Sequence, residues 1–121
     1  MIRLIVIDLD GTLLNSDKSI SRENEEAIME ALGRGVHVSI STGRSYVSGH
    51  KYVEQLGISV PVSYQNGALV IEGYDGAMRI ISQCLLGTAE AVEIYNRSRE
   101  RGLNSLIFFD FFKLTDISTA G

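Results

Sequence analysis

Leu4-Ile5-Val6-Ile7-Asp8-Leu9-Asp10-Gly11-Thr12 joins an unbroken apolar run to two carboxylates set two residues apart. A short apolar run bounded by turn residues reads as a strand buried on both faces, as in a parallel sheet. The strand is expected over about Arg3 to Leu9, so the carboxylates fall where it gives way to a loop. In open α/β sheets, ligands bind at the carboxyl ends of the strands. A carboxylate beside a dry strand end is costly unless something cationic pairs with it. The stretch therefore reads as a site for a metal and a phosphate.

Downstream, Ser21 is placed to cap a helix in which Ala27, Ile28, Ala31 and Leu32 share one face, ended by Gly33 and Gly35. Val36, Val38 and Ile40 alternate with His37, Ser39 and Ser41, which predicts a second strand, with Thr42-Gly43-Arg44 as the turn at its end. Ser45 to about Leu56 reads as a helix closed by Gly57, and Pro61 precedes a short strand from Val62 to Tyr64. The order β-α-β-α-β is the signature of a parallel sheet with right-handed crossovers. The pattern then changes. Ala68 to Ile71 and Met78 to Ser82 flank Gly73-Tyr74-Asp75-Gly76 and predict a hairpin. Thr88 is placed to cap a further helix that ends at Gly102, and Leu106 to Phe112 reads as a strand.

The chain has 121 residues, room for one small domain with a core. It is 45% hydrophobic and 21% charged, the composition of an ordinary globular protein. A net charge of −4 argues against nucleic acid or an anionic membrane surface as partner. No apolar stretch is long enough to span a bilayer, and the N-terminus lacks the basic start of a signal peptide, so a cytoplasmic location is expected. The single cysteine, Cys84, rules out an internal disulfide and reads as a small buried apolar residue. His37 and His50 have no second ligand at metal spacing, and Phe108, Phe109, Phe111 and Phe112 read as packing residues.

A carboxylate attacks phosphorus only when the repulsion between two anions is removed, which Mg²⁺ does by binding a carboxylate and a phosphate oxygen together. Asp8, first after the strand, is then the rigidly held nucleophile that forms an aspartyl-phosphate. Asp10 protonates the leaving oxygen and later deprotonates the attacking water. Gly11 permits a tight turn that presents amide N–H groups to the phosphate, and Thr12 helps to hold the loop.

These residues resemble a known family. Asp8-Leu9-Asp10-Gly11-Thr12-Leu13-Leu14 is similar to the first motif of the haloacid dehalogenase superfamily. The resemblance makes Asp8 the nucleophile, Asp10 the acid/base and the Asp10 carbonyl a Mg²⁺ ligand, so that Asp8 and Asp10 are the metal candidates. An aspartate at the second position goes with phosphatases and phosphomutases. Ser41-Thr42-Gly43-Arg44 resembles the second motif, with Thr42 as the phosphate-binding residue and Gly43 in its turn; Arg44 holds the substrate or the loop, or is an exposed arginine at a helix start. Tyr64-Gln65-Asn66-Gly67-Ala68 resembles the Asn-Gly-Ala stretch of the Cof-type branch, which puts Asn66 near the active site.

Only one helix and one strand fit between Gly11 and Ser41, which excludes an early cap and places the cap after the third strand, as in Cof-type phosphatases and phosphomannomutases. The expected organisation is the N-terminal part of a Rossmann-like α/β core over residues 1–82 and the beginning of an α+β cap over 83–121. The family's lysine and its later Gly-Asp-x-x-x-Asp motif have no counterpart: Lys51, Lys113, Asp110 and Asp116 lie in the wrong segments. The chain therefore reads as the first part of a longer Mg²⁺-dependent phosphatase acting on a small phosphorylated metabolite such as a sugar phosphate, and as weakly active alone. The alternatives are a phosphomannomutase-like phosphoryl transfer and a non-catalytic phosphate- or metal-binding module. Self-association is expected if an incomplete core is exposed.

Overall fold

The computed structural model describes residues 1–73, 77–110 and 113–115, with the side chains described to residue 108. Contacts divide the chain into two compact units, Met1–Gln83 and Cys84–Gly121.

The first unit is built on a parallel strand pair. β1 (Leu4–Ile7) runs beside β2 (His37–Ile40) in the register Leu4 to His37, Ile5 to Val38, Val6 to Ser39 and Ile7 to Ile40. The crossover between them is α1 (Arg22–Gly33), whose N-cap Ser21 accepts the Asn24 N–H through its side chain. Gly35, at φ 77°, supplies the left-handed turn that leads the chain back to the sheet. α2 (Tyr46–Gln55) follows, and Gly57 at φ 62° reverses the chain after it. β3 (Val62–Tyr64) joins β2 through a parallel bridge, Ser41 to Ser63, and through the Ser39 hydroxyl, which donates to the Pro61 carbonyl at 2.6 Å. β3 then pairs antiparallel with β4 (Leu69–Glu72), and β4 with β5 (Arg79–Gln83). The result is a mixed α/β unit whose first two strands are parallel.

The core is asymmetric. β2 buries Val38, Ser39 and Ile40, and α2 buries Tyr52 and Val53. Gly49 of α2 lies against the Tyr64 ring, where an added Cβ would come within 3.3 Å of a ring carbon. Beside it His50 Nδ1 and the Tyr64 hydroxyl are 2.7 Å apart, and burial raises the Tyr64 phenol well above its ordinary value. β1 departs from the sequence reading, which buried it on both faces: Leu4 and Val6 are exposed, Val6 at 57%. Its described strand partner is β2 alone, and an open apolar cavity of about 310 Å³ lies beside it, lined by Ile5, Ile7, Leu13, Ala27, Ile28 and Ala31 among others.

The second unit contains α3 (Thr88–Glu100) and the antiparallel pair β6 (Ile107–Asp110) and β7 (Lys113–Thr115). The N-cap of α3 is Gly87, without a side-chain cap bond; Thr88 is already helical, one residue inside the expected start. Cys84 is exposed rather than buried, because it follows β5, every residue of which is exposed. The hairpin tip Tyr74-Asp75-Gly76, Phe111, Phe112 and Asp116 lie outside the described residues, as do the side chains of Phe109, Asp110 and Lys113. Among the described residues, no helix is long and apolar enough to cross a membrane.

The asymmetry has a measurable consequence in the 121-residue chain. Val6→Thr, on the open face, is expected to change unfolding free energy by no more than about 0.5 kcal/mol. Ile40→Ala, at a position 1% exposed, should cost about 2–5 kcal/mol. Denaturant unfolding of both variants checks this, and equal costs would contradict the one-sided burial of β1.

Candidate active site

In-register parallel pairing carries Ile7 and Ile40 to the same end of the sheet, so the loops that follow them leave side by side. The Ser41 N–H donates to the Ile7 carbonyl at 3.0 Å, which holds the two exits together. After β1 the chain wraps around one acceptor: the Leu13 and Leu14 N–H groups donate to the Leu9 carbonyl at 3.1 and 2.9 Å. Leu9 is fully buried, so it anchors this turn while Asp8 and Asp10 on either side of it face solvent. Gly11 takes φ 76°, a left-handed turn that costs other residues strain. The Asp8 carboxylate accepts the Leu9 N–H at 2.8 Å through Oδ1.

Asp10 is held by two cations. Arg44 donates Nε to Oδ2 at 2.6 Å and Nη2 to Oδ1 at 2.8 Å, a two-point fork of the kind guanidinium makes with carboxylate. Lys18 Nζ reaches the same Oδ1 at 2.7 Å. The Arg44 hydrogen bonds first, and the Lys18 hydrogen bond second, hold the Asp10 carboxyl well below the usual carboxylate range.

The second and third loops are tied to one another. Thr42 is buried; its hydroxyl accepts the Arg44 N–H at 3.1 Å and its own N–H donates to Ser63. Gln65 and Asn66, at φ 50° and 56°, both adopt the left-handed conformation uncommon outside glycine. That turn sends the Gln65 N–H to the Arg44 carbonyl at 2.9 Å and the Asn66 N–H to the Thr42 carbonyl at 3.1 Å. Gly43 accommodates the result: a Cβ there would lie 3.1 Å from Asn66 Oδ1. Asp10, Thr42, Gly43, Arg44 and Asn66 thus form one connected group. Thr12 stands apart from it, bordering the open cavity beside α1.

Sequence reasoning missed Lys18 and Tyr52. Tyr52 sits in the interior of α2, where it reads as a core aromatic, and it is buried. Its ring lies 5.4 Å beneath the Arg44 guanidinium and its hydroxyl donates to the Lys18 carbonyl at 2.8 Å, so one side chain supports both cations. No motif marks Lys18; its neighbours Asn15 and Ser19, whose backbone groups bond across a tight turn, were the only local signal.

Among the described residues, no group of three or more His, Cys, Asp or Glu gathers to hold a metal. The oxygen donors nonetheless suit Mg²⁺, which keeps several waters and takes few protein ligands. Asp8 offers its second carboxylate oxygen, whereas the Asp10 carboxylate is committed to Arg44 and Lys18. From Asp10 it is the main-chain carbonyl that the resemblance implies as a ligand.

The chain matches the family model described as haloacid dehalogenase-like hydrolase over residues 5–118. It is 42% identical over 87 residues to the 5-amino-6-(5-phospho-D-ribitylamino)uracil phosphatase YcsE of Bacillus subtilis, covering 72% of this chain and 34% of that protein. Phosphatase YwpJ of the same organism is 47% identical over 68 residues, 56% of this chain and 24% of its own length. Among solved structures, a haloacid dehalogenase-like hydrolase from Bacteroides thetaiotaomicron superposes with a TM-score of 0.79 at 25% identity, over 89% of this chain and 41% of that one. One from B. subtilis gives 0.71 at 35% identity, over 84% of this chain and 34% of that one. The chain spans about a third or less of the two curated relatives.

A carboxyl whose folded pKa is depressed contributes stability above its unfolded pKa and loses it as pH falls through the folded one. An NMR titration should therefore find Asp10 still ionised at pH about 3.9, where an ordinary aspartate is half protonated. Arg44→Met is expected to raise that midpoint. A wild-type Asp10 titrating at the ordinary value would contradict the two-cation clamp.

Proposed function

The chain belongs to the haloacid dehalogenase-like hydrolases, and on that premise we propose that the protein carrying it hydrolyses a small phosphorylated metabolite of the sugar-phosphate type through an aspartyl-phosphate on Asp8. The observation that carries the reading is the end of β1, where an exposed Asp8 is oriented by its own loop two residues from a carboxylate clamped by cations. The names of the curated relatives support a phosphate monoester as substrate. In this reading residues 1–82 are the N-terminal part of the catalytic core and residues 83–121 begin a cap, within one residue of the division between the two compact units.

An Asp8 carboxylate oxygen attacks phosphorus and the ester P–O bond breaks, its electron pair leaving with the alcohol oxygen. That oxygen takes a proton from Asp10. Water then attacks the aspartyl-phosphate while Asp10 takes a proton from it, and inorganic phosphate departs with Asp8 regenerated. As an acid, Asp10 must first carry a proton, which the Arg44 fork and Lys18 oppose; the ion pairs have to loosen when substrate arrives. In this reading Gly11 brings loop amides towards the phosphoryl oxygens, and Thr42 and Asn66, tied to the Arg44 loop, contribute further contacts to them. Asp8 and the Asp10 main-chain carbonyl would hold a Mg²⁺ ion, which would supply the positive charge that offsets repulsion between carboxylate and phosphate.

The test is phosphate release from p-nitrophenyl phosphate, with Mg²⁺, by the protein translated from the entire reading frame that contains these residues. Asp8→Asn should lower kcat by on the order of a thousandfold or more, because it removes the nucleophile. An Asp8→Asn variant that keeps wild-type turnover would overturn the proposal. A wild-type protein without phosphatase activity on any phosphorylated metabolite would favour a binding module instead.

A further inference from the structure

The two cations on Asp10 are not equivalent. Arg44 is 19% exposed and held from three sides: Nε and Nη2 donate to Asp10, Nη1 donates to the Ser48 carbonyl at 3.3 Å, and the guanidinium carbon lies 5.4 Å from the centre of the Tyr52 ring. The Lys18 side chain is 56% exposed. Of the three N–H groups of its ammonium, one is engaged, with Asp10, among the described residues.

The Lys18 backbone is fixed while its head lies exposed. The residue sits at φ 65°, a left-handed conformation costly for a side chain with a Cβ. Its N–H donates to the Asn15 carbonyl at 3.0 Å and its carbonyl accepts the Tyr52 hydroxyl at 2.8 Å, so the turn is tied to α2. An exposed lysine–aspartate pair adds little stability. Stability therefore does not account for a lysine at a position that glycine or asparagine would occupy with less strain.

Resting on the phosphatase reading above, we propose that Lys18 is a substrate-binding residue of this site, its ammonium meeting an oxyanion of the phosphoryl group beside Asp10, while Arg44 positions Asp10. The lysine stem spans from the pinned turn to the carboxylate and turns to a new anion by rotation about its own bonds, without moving the loop. The exposed Lys18 ammonium has two N–H groups to spare and re-aims by turning its stem, so it bridges carboxylate and phosphate oxygens; the Arg44 guanidinium, held by the Asp10 fork, the Ser48 carbonyl and the Tyr52 ring, re-aims only by breaking those contacts.

The probe is inorganic phosphate titrated into the 121-residue chain, followed by NMR at the Gly11 and Thr42 amides. Lys18→Met should weaken phosphate binding about tenfold, the value of one hydrogen bond to a charged group, and Lys18→Arg should recover most of it. Arg34→Met, which removes a like charge from the exposed C-terminal end of α1, should leave affinity unchanged. Lys18→Gly, relieved of strain, is expected to melt no lower than wild type and still to bind phosphate weakly, separating binding from folding. Equal losses in Lys18→Met and Arg34→Met, an unchanged affinity in Lys18→Met, or a wild-type chain that binds no phosphate would overturn the assignment. None of these would touch the hydrolase reading, which stands or falls on Asp8.

Discussion

The Arg44 fork on Asp10 is the interaction on which the rest of the site depends. It spans 34 positions of sequence and closes the ring that parallel pairing opens. β1 and β2 end together, the loops after them emerge together, and a guanidinium from the second loop is locked to a carboxylate of the first. Everything else braces that contact. Thr42 accepts the Arg44 N–H, the Gln65–Asn66 turn donates into the Thr42 and Arg44 carbonyls, and Tyr52 supports the guanidinium from below. The arrangement answers the cost of placing two carboxylates at a strand end: one is neutralised internally and the other is left accessible.

Much of this was legible in the sequence. The apolar run before Asp8, the alternation of His37 to Ile40 and the cap at Ser21 mark elements that the structure contains, with ends shifted by a residue or two. The loops were legible because left-handed turns and close backbone approaches restrict residue choice, as at Gly11 and Gly43. Membership of the haloacid dehalogenase-like hydrolases, already visible in the first two motifs, is shown by the family match. Lys18 and Tyr52 were not legible, since their roles come from tertiary contacts: a lysine in a turn reads as solvated, and a tyrosine in a helix as core.

Burial was harder to read than topology. Apolarity records the environment in which a strand is selected to sit, and β1 is apolar on both sides yet covered mainly on one. Cys84 illustrates the converse, a residue type that prefers the interior but lies exposed after an exposed strand. Both cases sit beside the finding that the chain spans about a third or less of the two curated relatives.

Asp8, left exposed at the strand end, is the residue proposed to accept the phosphoryl group. The direct measurement is acid-quench mass spectrometry of the protein from the entire reading frame during turnover of a phosphate monoester, with peptide mapping across residues 3–22. The expected result is an acid-stable, hydroxylamine-sensitive phosphoryl group on Asp8. A phosphoryl group on any other residue, or turnover with no covalent intermediate at Asp8 under single-turnover conditions, would contradict it.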